Sequence, residues 1–124
     1  MNKRILLIED NEQNRYLASF LLQARGWEMV HAADGPSGIA LAGQVDPALI
    51  LLDIQLPGMD GYAVARALRL DQKLARIPIV AVTSYAMPGD RERCLAAGCN
   101  GYIEKPVDPA TFAVEVERFV PQAP

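Results

Sequence analysis

Residues 48–53 read ALILLD, an uninterrupted aliphatic run that ends on an acid. Two similar runs are ILLI at residues 5–8 and IVAV at residues 79–82. A strand with one face in solvent alternates apolar and polar residues, whereas a strand covered by helices on both faces is apolar throughout. These three segments therefore predict the central strands of a parallel sheet.

Outward from these runs, strand-length apolar segments alternate with helical patterns about five times along the chain. Residues 27–32 are more mixed and predict an edge strand, and residues 101–104 predict a short strand. This alternation is typical of an α/β protein. We therefore expect one domain over residues 1–124, built as a three-layer, doubly wound sheet of five parallel strands, with no output domain.

Capping residues divide the segments between strands into helices. Asn11 predicts the start of the first helix, which continues to about Arg25 before Gly26 ends it. Its inward face is predicted to comprise Leu17, Phe20, Leu21 and Ala24. Three prolines are expected in the first turns of later helices, namely Pro36, Pro88 and Pro109. The last helix is predicted to bury Phe112, Val116, Phe119 and Val120.

The composition argues against several classes of protein. A net charge of −3 and a pI near 5.1 disfavour a domain whose own surface binds nucleic acid. No apolar run approaches the roughly 20 residues of a membrane helix, and the start of the chain has no signal-peptide core. We therefore expect a cytoplasmic location without membrane insertion. Cys94 and Cys99 are interpreted as reduced packing residues.

Four of the predicted strands deliver reactive side chains to their carboxyl ends. These side chains are Glu9, Asp10, Asp53, Thr83 and Lys105. In an open parallel sheet the ligand crevice lies outside the carboxyl ends of the strands. If the strands are neighbours, three carboxylates, a hydroxyl and an ammonium group converge on one point.

Carboxylates at close range repel one another unless a cation joins them. Mg²⁺ suits this set because it takes oxygen ligands and is bound by one or two carboxylates together with phosphate. Asp53 could then attack a phosphoryl group to give an acyl phosphate. Lys105 would offset the charge on the phosphoryl oxygens, and Thr83 would donate a hydrogen bond. Each residue alone has an ordinary structural explanation, and it is the combination that favours phosphoryl chemistry.

Four stretches carry a resemblance to the receiver (CheY-like) domain of two-component signalling: LLIEDNEQNR (6–15), LILLDIQLPGMDGY (49–62), IPIVAVTSYA (77–86) and GYIEKPVD (101–108). The resemblance covers essentially the whole chain and is strongest to DivK-type single-domain regulators and to the receivers of hybrid kinases. It implies a flavodoxin/CheY-like fold with strand order 2-1-3-4-5. It also implies a phosphoacceptor signalling protein rather than an enzyme, beyond Mg²⁺-dependent self-phosphorylation and self-dephosphorylation.

The resemblance also implies a metal site and a phosphoacceptor. Asp53 would accept the phosphoryl group from a phosphohistidine protein. Mg²⁺, with Mn²⁺ as the alternative ion, would be bound by Asp10, Asp53 and the backbone carbonyl of Gln55. Glu9 would either hold a metal-bound water or contact the ion directly. The implied partners are a sensor histidine kinase, a histidine phosphotransferase, or both, and a downstream protein effector or kinase.

A switch is implied in the same way. Thr83 would be the switch hydroxyl, Tyr102 the switch aromatic and Lys105 the phosphate partner, with a cis bond before Pro106. Phosphorylation would draw Thr83 towards the phosphoryl group and let Tyr102 rotate inward. The face formed by the fourth helix, fifth strand and fifth helix would then change its contacts with partner proteins.

Three positions near the acceptor are expected to tune its chemistry. Ser84 stands where many receivers carry alanine, so we expect access to the phosphoryl group to differ. Gln55 and Tyr85 occupy positions that in receivers influence the rate of hydrolysis. Their side chains would either shield the attacking water or position it.

Other functions fit the sequence less well. A haloacid-dehalogenase-like, Mg²⁺-dependent phosphatase would carry Asp-x-Asp at its first strand, where this chain has Glu9, Asp10 and Asn11. A flavodoxin-like FMN carrier would need a Gly/Ser/Thr-rich phosphate loop after that strand. A pseudo-receiver that serves only for docking would not need the full acceptor set. His31 is interpreted as a solvent-edge side chain rather than a phosphate carrier.

Overall fold

A computed structural model describes residues 2–84 and 87–121, in which strands and helices alternate along the chain. The strands are β1 (Arg4–Ile8), β2 (Glu28–Ala32), β3 (Leu49–Asp53), β4 (Ile79–Thr83) and β5 (Gly101–Glu104). The helices are α1 (Glu12–Gln23), α2 (Gly35–Val45), α3 (Gly61–Leu70), α4 (Asp90–Ala97) and α5 (Phe112–Glu117). Within the described ranges, no helix has both the length and the apolar character needed to cross a bilayer.

The five strands form one parallel sheet in the order β2-β1-β3-β4-β5. Ile8 lies opposite Leu52, and Thr83 lies opposite Glu104. The carboxyl ends of β1, β3, β4 and β5 are therefore level at one edge. The predicted doubly wound α/β fold and its strand order are confirmed.

Each face of the sheet carries its own apolar layer. The layer shared with α2, α3 and α4 includes Leu6, Ile8, Ile50, Leu52 and Leu68. The layer shared with α1 and α5 includes Ile5, Leu7, Leu49, Leu51 and Phe112. Successive residues of β1 and β3 thus enter opposite layers, which is why these strands are apolar without interruption.

Helix α1 begins as expected but buries a different face. Asn11 caps it by accepting a hydrogen bond from the backbone N–H of Asn14 at 2.9 Å. The buried residues are Ala18, Ser19 and Leu22, whereas Phe20 is 58% exposed and stacks on Tyr16 outside the core. Of the predicted inward face, Phe20 and Ala24 are exposed and were wrong, whereas Leu17 and Leu21 are half-buried and Leu21 packs against the apolar layer shared with α5. Two of the three fully buried positions carry small side chains, Ala18 and Ser19.

The prolines fall in two kinds of position. Pro36 lies in the first turn of α2, as predicted, after the capping residue Asp34. Pro88 lies before α4, because Gly89 adopts a φ of 90° and the helix begins only at Asp90. Pro109 lies in a turn before α5, in which the carbonyl of Asp108 accepts hydrogen bonds from Thr111 N and Phe112 N. First-turn positions for Pro88 and Pro109 were therefore wrong.

The last helix buries its apolar residues to different degrees. Phe112 and Val116 are fully buried, as predicted. Phe119 and Val120 follow the end of α5 and are only half-buried against the same apolar layer. At the end of the helix the backbone hydrogen bonds span three residues instead of four. They run from Phe119 N to Val116 O and from Val120 N to Glu117 O.

Arg69 connects three parts of the chain that sequence patterns did not link. Its guanidinium donates to the carbonyls of Gly98, Leu74, Ala75 and Ile77 and to Asn100 Oδ1, at 2.7–3.2 Å. Asn100 Oδ1 in turn accepts from the backbone N–H of Ile79 at 2.9 Å. One side chain on α3 thus supplies hydrogen bonds to the turns that precede β4 and β5.

We expect Arg69→Met to lower the free energy of unfolding by about 2 kcal/mol, because partly buried carbonyls lose their donors. Urea unfolding followed by the fluorescence of Trp27, a buried residue and the one tryptophan of the chain, measures this change. Arg66→Met is the matched control, since Arg66 is exposed on the same helix. Equal losses in the two variants would contradict the role of Arg69.

Candidate functional site

Backbone hydrogen bonds bring the strand ends to a common level. Glu9 N donates to Ala32 O at 3.0 Å, and Lys105 N donates to Thr83 O at 2.7 Å. Asp53 is the last residue of β3. The hydrogen bonds of the sheet therefore fix the backbone positions of the predicted site residues.

The structure brings the three predicted carboxylates together. One oxygen from each of Glu9, Asp10 and Asp53 lies within 4.8 Å of the others. Glu9 is 3% exposed and Asp53 is 4% exposed, whereas Asp10 lies in solvent. Two of the three carboxylates are thus removed from water. In this buried environment their mutual repulsion is stronger than it would be in solvent.

Lys105 supplies the cation of the cluster. Its Nζ lies 2.6 Å from Glu9 Oε1 and 3.6 Å from Asp53 Oδ1. Three acids and one lysine leave two formal negative charges when all are ionised. Hard oxygen donors with an excess of negative charge can hold a divalent cation.

Burial dominates the electrostatics of Glu9. Burial raises the pKa of this carboxyl most, the hydrogen bond and charge of Asp53 raise it further and Lys105 lowers it, which together give a pKa of about 7. A carboxyl with such a pKa is protonated in part of the molecules at neutral pH. A cation placed among the three acids would favour the ionised form.

The backbone around Asp53 is tightly packed. Gln55 N donates to Asp53 Oδ1 at 3.0 Å, and Gly61 N donates to Ile54 O at 2.9 Å. A Cβ added at Gly61 would lie 2.7 Å from Asp53 O and 2.5 Å from Ile54 Cα. The first residue of α3 must therefore be glycine for the helix to approach the backbone of Asp53 this closely.

The predicted switch residues lie on the same side of the site. Thr83 is buried at the end of β4, and Tyr102 on β5 is half-buried against the core opposite Ala81. The peptide bond between Lys105 and Pro106 is cis. Tyr85 lies outside the described residues.

One contact at the site was missed by sequence reasoning. Ser84, which is exposed, donates a hydrogen bond from Oγ to Gln55 Oε1 at 2.6 Å. Both positions had been singled out, but no spacing rule relates a residue after β3 to one after β4. Beside this contact, a groove of about 540 Å³ lies between the β3–α3 loop and α4.

Three residues that the sequence singled out are not among the converging side chains. His31 is hydrogen-bonded to Ser19 Oγ at 2.6 Å on the edge strand β2. Cys94 and Cys99 are free and buried, and burial raises the pKa of Cys99 to about 12. A thiol with so high a pKa forms little of the thiolate that redox chemistry or metal binding requires.

We expect Lys105→Met to lower the free energy of unfolding by about 2 kcal/mol in EDTA, because buried Glu9 and Asp53 lose their cation. Urea unfolding of this variant and of Lys73→Met provides the comparison, since Lys73 is exposed. Wild-type stability in Lys105→Met would mean that the ammonium group does not stabilise the cluster.

Comparison with known proteins identifies relatives over the whole length. Residues 5–117 match the family described as the response regulator receiver domain. The polar-differentiation response regulator DivK of Brucella ovis is 39% identical over 123 residues, which are 99% of this chain and 100% of that protein. The DivK protein of Brucella anthropi gives the same identity and coverage.

Solved structures agree with this likeness. The chemotaxis protein CheY4 of Vibrio cholerae superposes with a TM-score of 0.91 at 28% identity, covering 97% of this chain and 100% of that one. The receiver domain of the sensor histidine kinase PA1611 from Pseudomonas aeruginosa, described with magnesium coordinated in its active-site cleft, gives 0.87 at 36% identity, covering 96% and 98%. With its fold, its clustered acids and these relatives, the chain belongs to the response regulator receiver domain family and is a response regulator of two-component signalling.

Proposed function

We propose that Asp53 accepts a phosphoryl group from the phosphohistidine of a sensor histidine kinase, of a histidine phosphotransferase, or of both. The observation that carries this proposal is that Asp53 and Glu9 are both buried at the carboxyl ends of neighbouring strands and that Lys105 Nζ lies within 4 Å of both carboxylates. Asp53 is the middle member of the set, flanked by an acid after β1 and a cation after β5. Membership of the receiver family supports the same role.

The residues present fit a bound Mg²⁺, with Mn²⁺ as the alternative ion. The donors are carboxylate oxygens of Glu9, Asp10 and Asp53, which lie within 4.8 Å of one another, and we add the backbone carbonyl of Gln55. Glu9 would contact the ion directly or through a water. When bound, Mg²⁺ would offset the negative charge of the carboxylates and of the phosphoryl oxygens. The magnesium described in the PA1611 receiver domain supports this choice.

The chain's own residues then carry the transfer. A carboxylate oxygen of Asp53 forms a bond to phosphorus as the bond between phosphorus and the histidine nitrogen breaks. The electron pair of that bond stays on the imidazole, which takes up a proton from solvent. Lys105 and Thr83 stabilise the negative charge on the phosphoryl oxygens. Pro106 follows Lys105 through a cis peptide bond.

The phosphoryl group would act through a switch. It brings about −1.5 to −2 charges and three acceptor oxygens to a buried sheet edge. Thr83 turns towards one of these oxygens, and Tyr102 moves inward beside it. The face made by α4, β5 and α5 thereby changes its contacts with a downstream protein effector or kinase. We propose that residues 1–124 work as a single receiver domain in this way.

Hydrolysis would end the signal at a rate set by neighbouring side chains. We propose that Gln55 and Tyr85 tune this rate and that Ser84 influences access to the phosphoryl group. A haloacid-dehalogenase-like phosphatase is not proposed, because the chain belongs to the receiver family and its first strand ends without Asp-x-Asp.

We expect Asp53→Asn to abolish labelling by radioactive acetyl phosphate in the presence of Mg²⁺. Asparagine keeps an oxygen that can accept from Gln55 N but lacks the nucleophilic carboxylate. The matched control is Asp71→Asn, an exposed position whose Oδ1 accepts from Lys73 N. EDTA should suppress labelling of the wild type and of the control alike.

The amount of label separates the remaining functions. A receiver takes up at most one phosphoryl group per chain, whereas a phosphatase would release phosphate continuously from a monoester. A docking platform would not be labelled at all. Undiminished labelling of Asp53→Asn would place the acceptor at another residue.

We expect Thr83→Ala to be labelled but to lose the response of the output face. Without the hydroxyl, the phosphoryl group has no partner at the end of β4, and Tyr102 keeps its resting environment. The measurement is the change in backbone amide NMR signals of Tyr102 and α4 on phosphorylation. Thr111→Ala is the control, because Thr111 is exposed and its side chain makes no capping bond. If phosphorylated Thr83→Ala shows the same changes in amide signals as the wild type, Thr83 is not part of the switch.

A further inference from the structure

A second groove lies at the opposite edge of the sheet from the acidic cluster. Its lining includes Lys3, Trp27, Ala48 and Pro78, which immediately precede β1, β2, β3 and β4 in turn. Because the strands are parallel, these residues share the amino edge of the sheet, whereas the acidic cluster occupies the carboxyl edge. This basal groove has a volume of about 460 Å³, within the range of about 300–1,000 Å³ that ligand pockets occupy. None of its lining residues takes part in the proposed phosphoryl transfer.

The buried part of this lining is apolar. Trp27, Ile77 and Pro78 are buried, and half-buried Val120 continues the apolar surface. The indole N–H of Trp27 donates to Glu117 Oε2 at 3.0 Å, so the polar edge of the ring needs no partner from a ligand. An apolar side chain that covered this floor would remove apolar surface from water, which favours binding.

The exposed part of the lining is cationic. Lys3, Lys73 and Arg76 stand in solvent around the groove, and Asp46 is the one acid among the described lining residues. Three cations and one acid leave two formal positive charges when all are ionised, opposite in sign to the −3 of the whole chain. Across residues 2–84 and 87–121, no carboxylate lies within ion-pair distance of these three cations. Lys3 Nζ instead lies over the ring of Trp27, 4.6 Å from its centre.

Two features decide which anion this groove fits. The N–H groups of Trp27, Ala48 and Ile77 already donate to backbone carbonyls of the fold, and Pro47 and Pro78 have no N–H. Little backbone is therefore left to form the converging N–H groups that hold a nucleotide phosphate. The acidic charge of the whole chain opposes a long polyanion or an anionic membrane surface, because either extends beyond the groove. A short segment that carries carboxylates and an apolar side chain meets neither obstacle.

We infer that the basal groove binds an acidic peptide segment of a partner protein. An apolar side chain of the segment covers the floor at Trp27, and its carboxylates pair with the three cations around the groove. Exposed ion pairs each contribute little, so binding is weak and falls as salt screens the charges. The basal groove shares no residue with the acidic cluster, so this binding does not depend on the phosphoacceptor.

The chain supplies its own probe for the test, because Trp27 is its one tryptophan and lines the groove. The peptide acetyl-EELFEE-amide is titrated into the protein while the fluorescence of Trp27 is recorded. The amide NMR signals of Trp27, Ala48 and Ile77 locate the contact. We expect saturable changes in both readouts, no binding of acetyl-KKLFKK-amide, and weaker binding of acetyl-EESSEE-amide, which lacks the apolar pair.

The double variant Lys73→Met/Arg76→Met tests the cations. Both side chains are exposed, so the fold should tolerate the change. We expect the dissociation constant for acetyl-EELFEE-amide to rise about fivefold, since two exposed ion pairs are lost. The matched control is Arg66→Met/Arg91→Met, which removes the same charge at exposed positions outside the groove. Its dissociation constant should stay within about twofold of the wild type, because distant charges are screened.

Several results would contradict this inference. Equal weakening in the two double variants would mean that net charge alone attracts the peptide, and equal binding of acetyl-EESSEE-amide would mean that the apolar floor has no part. NMR changes confined to residues outside the groove would place the contact elsewhere. Saturable binding of AMP or of phosphatidylserine vesicles, but not of the peptide, would assign the groove to a nucleotide or to a membrane. Each of these outcomes overturns the inference and leaves the proposed role of Asp53 untouched.

Discussion

The ion pair from Lys105 to Glu9 and Asp53 is the interaction on which the site depends. Two carboxylates buried at one sheet edge would repel each other, and Lys105 Nζ at 2.6 and 3.6 Å is the charge that opposes this repulsion. The compensation is incomplete, since burial together with Asp53 still raises the pKa of Glu9 to about 7. An arrangement that leaves charge unbalanced costs stability, which functional sites commonly accept in exchange for ligand binding. The same excess of negative charge would favour binding of a divalent cation.

Holding three strands level is what makes this pairing possible. Glu9 extends the ladder of β1, Asp53 ends β3, and the backbone of Lys105 is bonded to Thr83 at the end of β4. A shift of one residue in any of these strands would turn its side chain to the opposite face of the sheet. Register is secured by the two apolar layers, because each central strand is buried on both faces. The close approach of Gly61 to Asp53 O then fixes the start of α3 against the end of β3.

These constraints explain which features the sequence could predict. Central strands and converging side chains follow from apolar runs and from the residue at each strand's end, so β1, β3 and β4 and their terminal residues were identified. The face of α1 was identified only in part, because apolar residues occur on more than one side of this helix: Leu21 packs on the core, but Phe20 is exposed and the small residues Ala18 and Ser19 are buried. Pro88 was misplaced because the left-handed Gly89 delays α4. The contacts of Arg69 and Ser84 depend on how separate turns approach one another, and no local pattern encodes that distance.

The packing of α3 and α4 shows where the proposed switch would find room to move. Helix α3 is capped by Asp60 and buries five residues, whereas α4 follows the N-cap Gly89 without a side-chain cap and buries only Asp90, Cys94 and Ala97. Between them the guanidinium of Arg93 lies 4.3 Å from the ring centre of Tyr62, over the groove that Thr83 also lines. An element with few buried apolar contacts opens at a lower free energy than a well-packed one. A movement that begins at Thr83 would therefore displace α4 more readily than α3. In the proposed switch, this asymmetry would direct the response towards β5 and Tyr102 and would leave Gly61, which packs against the backbone of Asp53 and Ile54, in place.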